Sequence, residues 1–448
     1  MSIFGALSVA GQALLSARNA ITSTTKNIDN AYTEGYTREE PIFADVPGGG
    51  VKVEELRRLF DRALFTQRIK ALSENKGYSE KYSILSQIES VFNDIEGSGF
   101  SKEINQFFSS LNDIALKPDD IAARENFLSA AQTLVGRIRQ SYQALNDIEN
   151  TYADKLRESV AKLNNLLKEL ADVNRSLPLY KNSLSYNQYL DKRDKLIEEI
   201  SSLIEAKVVI HEDNTVDLFT AKGFPLVLKG RDFPLSLEFK ENKIEVKTQG
   251  ADISGNLFRG SVGGILRGIE EVREFKSKLN TFTSVFAQKV NQQQQEGYDL
   301  YGNSGEPLFS SDNSQPIDAS NIVLAIRDPK KVAAAASPTN LNSDNENIKK
   351  LIELGDEKIP ELGDLSFSEY YASQITALIG SKVSTVKNLF DNSTFRLNSI
   401  TEKLKEISGV NIDEELLKLT KFQRSYEAAA KVVSVSDELL QTILNMVG

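Results

Sequence analysis

The sequence predicts a mainly α protein with a smaller β-rich part (α+β), an elongated rod of long helices whose N- and C-terminal coiled-coil helices pair. Three observations predict it. Apolar residues recur at three- and four-residue steps near both ends of the chain. A helical pattern continues from about residue 118 to 178, and only the stretch after Lys207 changes to the two-residue alternation of strands. At 448 residues the chain has the length of about two to four domains.

From Ile3 the steps reach Leu7, Ala10, Leu14, Ala17, Ile21, Thr24, Ile28 and Ala31, apolar except Thr24, as in an a/d seam. Helices are predicted over 57–95 and 101–116. The long segment opens on Pro118, favoured at a first helical position, with Asp119 and Asp120 in the turn where the helix dipole favours negative charge. Leu145, Ile148, Tyr152, Leu156, Val160, Leu163, Leu167, Leu170, Val173 and Leu177 keep its spacing. Unbroken, it would run about 90 Å at 1.5 Å per residue, with Gly136 as a weak point. A helix over 189–204 follows.

From 207 to 248, β-branched or alternating runs separated by Asp-Asn, Lys-Gly and Glu-Asn turn signals read as antiparallel hairpins. A helix is predicted over 262–295. Residues 297–364, rich in Asn, Ser, Asp and Pro, read as irregular surface chain with one strand-like run at 322–326. A second seam, Ile379, Val383, Val386, Phe390, Ser393, Leu397, Ile400, Leu404 and Ile407, stops at Gly409. The last seam is Ile412, Leu416, Leu419, Gln423, Tyr426, Ala430, Val433, Asp437, Leu440, Leu444 and Val447, with Asn411 and Glu414 spaced as a capping box. If the ends pair, the chain runs out along a shaft and returns, and its domains are discontinuous. The expected division is 1–40 with 411–448 as a terminal coiled coil, 41–206 with 262–298 and 365–410 as a helical bundle, and 207–261 with 299–364 as a β-rich outer domain.

Composition removes much chemistry. Lys plus Arg is 53 and Asp plus Glu is 63, a net charge of −10. The bases are interspersed with acids except over 52–68, which reads as the solvated face of a helix, so no nucleic-acid partner is expected. There is no cysteine and one histidine, His211, which excludes zinc fingers, thiol nucleophiles and HExxH sites. His211 reads as a solvated residue at a strand end. The acid pairs Asp119-Asp120, Glu198-Glu199 and Glu414-Glu415 have the plainer explanation of helix starts and exposed faces. Gly48-Gly49-Gly50 and the cluster from Gly260 to Gly264 are not GxGxxG; Gly255 and Gly260 have phosphate-loop spacing, but Ser261 stands where a lysine would be required, and both clusters read as turns. No catalytic residue, cofactor or metal is expected, and no membrane insertion. The first residues lack the charged and apolar regions of a secretory signal, so export would use a route that reads something else.

The run Asn-Ile-Asp-Asn-Ala-Tyr-Thr-Glu-Gly-Tyr-Thr-Arg at 27–38 resembles the signature near the start of bacterial flagellar axial proteins, with Asp29, Tyr32 and Glu34 departing from the commoner Ala, Asn and Pro. Residues 408–445 are similar to the matching end of the same proteins. Within that superfamily, YLDKRDKLIEEIS from Tyr189, GYDLYGNSGEPLF from Gly297 and the segment from Gly97 to Leu128 resemble the hook-associated proteins of the FlgK type. Many relatives carry an additional outer domain, which the short strand-like stretch here leaves reduced or absent.

The resemblance implies a non-enzymatic subunit whose terminal helices pack into the inner tube of the flagellum at the hook-filament junction. The assembly interface it implies comprises Ile3, Leu7, Leu14, Ile21, Ile28, Asn30, Gly35, Tyr36, Leu416, Leu419, Tyr426, Val433, Leu440 and Leu444. Its implied partners are hook protein, the second hook-filament junction protein and copies of the same chain in a helical ring. It further implies type III export from the cytoplasm and an export chaperone on the C-terminal helix at Leu416, Leu419, Val433 and Leu440. A rod, hook or filament-type axial protein of the same superfamily, and a flagellum-associated peptidoglycan hydrolase, are the alternatives at this stage.

Overall fold

The computed structural model describes residues 2–447 except 48, 94–98, 182, 184, 241 and 242. Gly48, the predicted helix end at Ile95, the first residues of the segment from Gly97 and the Glu-Asn turn at 241–242 therefore lie outside the described residues. The first helix, α1 (Ile3–Asp29), starts where Ser2 Oγ accepts the amide of Gly5. A turn through Gly35, whose φ is +82°, leads into an antiparallel hairpin of β1 (Glu39–Asp45) and β2 (Val51–Arg58). This hairpin corrects the helical reading of 52–68 over its first part, 52–58; from Arg62 on, the stretch is helical. The hairpin turn is made by Gly49 and Gly50, both at positive φ, and the charged residues that suggested a helix face instead alternate along a strand.

The helix α2 (Arg62–Val91) begins at the Asp61 cap, and α3 (Phe100–Leu116) follows. The long helix α4 (Ile121–Ser176) has 56 residues, about 84 Å, and passes Gly136 unbroken. It starts after Pro118 because Asp120 is its cap, accepting the amides of Ala122 and Ala123, while Pro118 O accepts Arg124 Nε at 2.7 Å. After α5 (Tyr186–Leu203) come two small antiparallel sheets. One holds β3 (Ala206–Ile210), β4 (Val216–Thr220), β5 (Pro225–Leu228) and β6 (Arg231–Asp232); the other holds β7 (Leu235–Lys240), β8 (Lys243–Thr248) and β9 (Ala251–Asp252). The chain continues through α6 (Gly260–Glu296), the pair β10 (Phe309–Ser311) and β11 (Ile322–Leu324), α7 (Glu346–Glu353) and α8 (Phe367–Tyr370). A π-helical turn (Tyr371–Ala377) leads into α9 (Leu378–Ser408), and α10 (Ile412–Val447) closes the chain. Gly409 ends α9 at φ −74°, not in a left-handed cap; a Cβ there would lie 2.4 Å from Lys405 O.

Among the described residues one continuous apolar core, from Phe65 to Val386, fills the rod. At one end Phe107, Phe127, Phe282, Phe286, Phe309 and Phe367 interlock, with ring centroids 5.1 Å apart for Phe107 and Phe286. Toward the other, α2 and α6 cross on glycines. A Cβ at Gly264 would lie 2.4 Å from Gly77 O, and one at Gly268 would lie 2.0 Å from Ile84 Cδ1.

The two β-bearing segments do not form one outer domain. Residues 207–261 cover the C-terminal half of α4, where Asn164 and Asn174 bind the backbone of Leu235 and Val216. Residues 299–364 cover its N-terminal half, where Arg124 binds Pro329 O and Val332 O and Arg139 pairs with Asp312. Arg124 and Asn174 are about 75 Å apart along the helix. The predicted grouping 207–261 with 299–364 is thus corrected: similar composition marked both as strand and turn, but composition carries no information about which part of a helix each covers.

Two carboxylates between cation pairs tie α6 to its neighbours. Glu149 of α4 accepts Arg273 Nε at 2.6 Å and Lys276 Nζ at 2.9 Å; Glu271 pairs with Lys81 of α2 and Lys382 of α9 at 2.7 and 2.5 Å. Burial pushes both carboxyls up, but hydrogen bonds and charge from the paired cations outweigh it and hold them below the usual range. A carboxyl depressed in the folded state contributes stability above its unfolded pKa, and that contribution is lost as pH falls through the folded value. The rod should lose stability on acidification below about pH 4.5. Glu149→Gln with Glu271→Gln should lower the melting temperature at pH 7 and flatten its further fall toward pH 3, as thermal melts will read.

Candidate assembly interface

The helices α1 and α10 pack against each other along their length, and the contact of Asn27, near the end of α1, with Glu415, near the start of α10, makes them antiparallel. Of the predicted seam positions, Ala10, Ala17 and Thr24 are buried and Ile412, Leu419, Val433 and Leu440 half-buried, on the side that Asn27 and Glu415 mark, while Tyr426 at the same spacing is exposed. The alternate positions lie three residues on, not four. In α1 they are Ala20 and Asn27, both buried, and in α10 they are Glu415, Phe422, Ala429 and Ser436. Choosing the more apolar residue at each step picked flanking positions, because the true seam is built of small and polar residues that let the helices approach closely.

The residues expected at the interface therefore divide. Ile3, Leu7, Leu14, Ile21 and Ile28 are half-buried on the flank of α1, and Leu419, Val433 and Leu440 are half-buried in the seam. Tyr426 stays partly open, Leu416 is exposed on the flank, and Leu444 is 70 % exposed. Leu444 shares the flank row of Leu416, and because α10 has 36 residues against 27 in α1, its last turns also extend past the start of its partner. Beyond the intrachain seam, Val432, Val435, Leu439 and Met446 form a second apolar stripe at helical spacing, which Ile443 of the seam row joins where α10 runs past α1, each at least 45 % exposed. On a helical wheel it is turned about 100° from the seam. The sequence reading missed this stripe by following one seam only, although its spacing was there to count.

A buried polar knot fastens the base of the pair. Asn27 Nδ2 donates to Glu415 Oε2 and to Glu39 O, both at 2.8 Å, and Asn27 Oδ1 accepts Tyr36 Oη at 2.7 Å and the Glu39 amide at 3.0 Å. The Glu39 and Glu415 carboxylates pair with Lys26 and Lys418. Burial, then the charges of Glu39, Asp191 and Glu415, push the Tyr36 phenol up, so it remains a donor at neutral pH. Asn30 stays local, donating to Lys26 O at the end of α1, and Gly35 supplies the left-handed turn against Lys195. Arg58 joins this motif to the rod, reaching Thr37, Asp191 and Asp194 at 2.9, 2.6 and 2.9 Å. Burial raises the Asp191 carboxyl against the opposing charge of Arg58. Three of the five segments that carry the family resemblance, 27–38, 408–445 and the one from Tyr189, thus meet at one joint. The segment from Gly297 is held apart from them at the far end of α6, where Asp299 accepts the amides of Tyr301 and Asn303.

The acid pairs serve the fold. Asp120 caps α4, Glu198 pairs with Arg68, Glu414 pairs with Arg38, and Asn411 caps α10. Glu415 does lie in the first turn of α10, but it is also 1 % exposed and belongs to the seam. His211 ends the β3–β4 hairpin, half-exposed, 2.9 Å from Asp217. His211→Ala should leave motility and melting temperature within error of the parent, as swarm assays and thermal melts will check. Among the described residues there is no cluster of acids and histidine that could hold a metal, and no helix long and apolar enough to cross a membrane.

A rod with paired terminal helices and an uncovered apolar flank defines the class: a structural subunit that completes its packing in an assembly. Comparison supplies the particular family. The model of the flagellar hook-associated protein FlgK helical domain matches residues 85–309, half of the 448-residue chain, and that of the flagellar basal body rod FlgEFG protein C-terminal region matches 404–446. Flagellar hook-associated protein 1 of Bacillus subtilis is 25 % identical over 505 aligned positions covering 100 % of this chain and 99 % of its own. The protein of that name from Escherichia coli K12 is 23 % identical, covering 97 % and 98 %. The flagellar hook junction protein FlgK from Burkholderia pseudomallei shares the fold, with a TM-score of 0.67 at 16 % identity over 77 % of this chain and all of that one. The chain belongs to the FlgK family of flagellar hook-associated proteins, and it is a structural, junction-type subunit of the bacterial flagellum.

Proposed function

We propose that this chain joins the hook to the filament, packing its terminal pair, 1–40 with 411–448, into the inner tube of the junction while the helical rod forms the outer layer. The observation that carries the proposal is the apolar stripe from Val432 to Met446 on α10, which the chain leaves uncovered and which copies of itself in a ring would bury. Hook protein is the neighbour on one side and the second junction protein on the other. Before assembly the chain passes from the cytoplasm through the flagellar type III channel. An export chaperone covers α10 in that phase, binding an amphipathic helix by anchors at i, i+3, i+4 and i+7. Exposed stripe positions join Leu416, Leu419, Val433 and Leu440 as its contacts, so chaperone binding and ring formation exclude one another. No catalytic step enters this reading. Labelled antibody against the chain, viewed on isolated flagella, should mark one narrow band between hook and filament; label along the hook, rod or filament would favour the other axial classes instead.

A further inference from the structure

We propose that the buried Asn27–Glu415 hydrogen bond is the register lock of the terminal helix pair: a positioning contact that decides which turns of α1 and α10 meet. This inference rests on the paired-helix reading of the site and goes beyond it. Among the described residues it is the one side-chain hydrogen bond between the two helices. Both partners are 1 % exposed. The rest of the α1 seam is Ala10, Ala17, Ala20 and Thr24, with Ser16 and Ser23 beside it. Small residues repeated at seven-residue spacing on α1 offer similar surfaces to each turn of α10, so that side of the seam discriminates weakly between registers and leaves apolar selection to Phe422 and Tyr426 of α10. The knot does discriminate. A slip would leave Glu415 buried with Lys418 alone and Asn27 Nδ2 without its side-chain acceptor, and an unpaired buried charge or donor is costly.

The surroundings are arranged to hold Asn27 in one orientation. Its Oδ1 accepts Tyr36 Oη and the Glu39 amide, so its Nδ2 can only face Glu39 O and Glu415. Charges near the contact from each packed element are Lys26 of α1, Glu39 of β1, Lys418 of α10 and Asp191 of α5. The neighbouring Arg38–Glu414 pair is a weaker determinant, since Glu414 is 57 % exposed and water screens it.

The chain has no cysteine, so engineered disulfides report register without background. Counting two heptads in opposite directions from the lock places Ala13 opposite Ala429; one-heptad slips would place it opposite Phe422 or Ser436. In the full-length chain, Ala13→Cys with Ala429→Cys should cross-link more than Ala13→Cys with Phe422→Cys or Ser436→Cys, by about tenfold or more. Adding Asn27→Leu and Glu415→Leu should bring the three yields within a few fold while the rod melts as before. Asn27→Ala with Glu415→Ala, which leaves a small-residue layer like its neighbours, should do the same if the leucine variant does not fold. Glu415→Gln retains a carbonyl acceptor for Asn27 and should keep the native preference. A native-only cross-link in both apolar variants would overturn the lock, because register would then be set elsewhere. Loss of all three cross-links would overturn it too, by showing that the contact supplies affinity and not register. Failure of the native pair to cross-link in the parent would instead reject the antiparallel reading itself.

Discussion

A chain carrying Leu439→Asp is expected to fold and melt as the parent does and to fail at assembly. Leu439 is half exposed in the isolated chain, so a carboxylate there stays hydrated and the α1–α10 seam is untouched. In a ring that buries the Val432–Met446 stripe, the same carboxylate would lose its water without gaining a partner, a cost of several kcal/mol. Motility in a strain dependent on this chain should fall to the level of its deletion. Leu419→Asp makes the internal comparison. It lies in the seam, so it should loosen the terminal pair as well as abolish assembly, while melting of the rod stays in place. A motile Leu439→Asp strain would mean that the stripe faces solvent in the flagellum.

The largest effect on stability should come from Gly264→Val. The backbone of α2 stands where its side chain must go, 2.4 Å from a Cβ at that position, and Gly77 O cannot rotate aside as a side-chain end can. Separating α2 from α6 would also open the contact at Gly268 and withdraw Ile84, Ile265 and Ile269 from the core. Overpacking against backbone together with lost burial should cost at least about 3 kcal/mol. The expected outcome is a chain recovered aggregated or with its rod transition lowered by about 10 °C; circular dichroism melts will show it. Gly136→Ala, on the open face of α4, should instead stabilise slightly, since nothing lies within 4 Å of its Cβ and alanine favours the helix.

Most of the helices were legible because a long amphipathic helix repeats its signal over many turns. The run from Ile121 to Ser176 states its apolar period some ten times over, so one glycine could not obscure it. The hairpin of β1 and β2 was not legible, because two short charged strands carry few periods and Arg57 and Arg58 resemble a helix face as much as an edge strand. The π-helical turn before α9 was equally silent: it is one inserted residue in a continuous helix, held by Tyr371, whose ring stacks on Phe100 at 4.6 Å. At the interface the motif around Asn27 was visible, but not its partner. Glu415 looked like one of two acids at a helix start, and only the antiparallel packing of residues 388 apart makes it a buried acceptor.

The central claim is that the flank of α10 left open in the chain is closed in the assembly. A single Leu439→Cys substitution in this cysteine-free chain gives a direct reading, by comparing the rate of maleimide labelling in the purified protein with that in isolated flagella. The account predicts rapid labelling in the free chain and labelling slower by about an order of magnitude or more in flagella whose junctions contain the variant. Equal rates in the two states would contradict it.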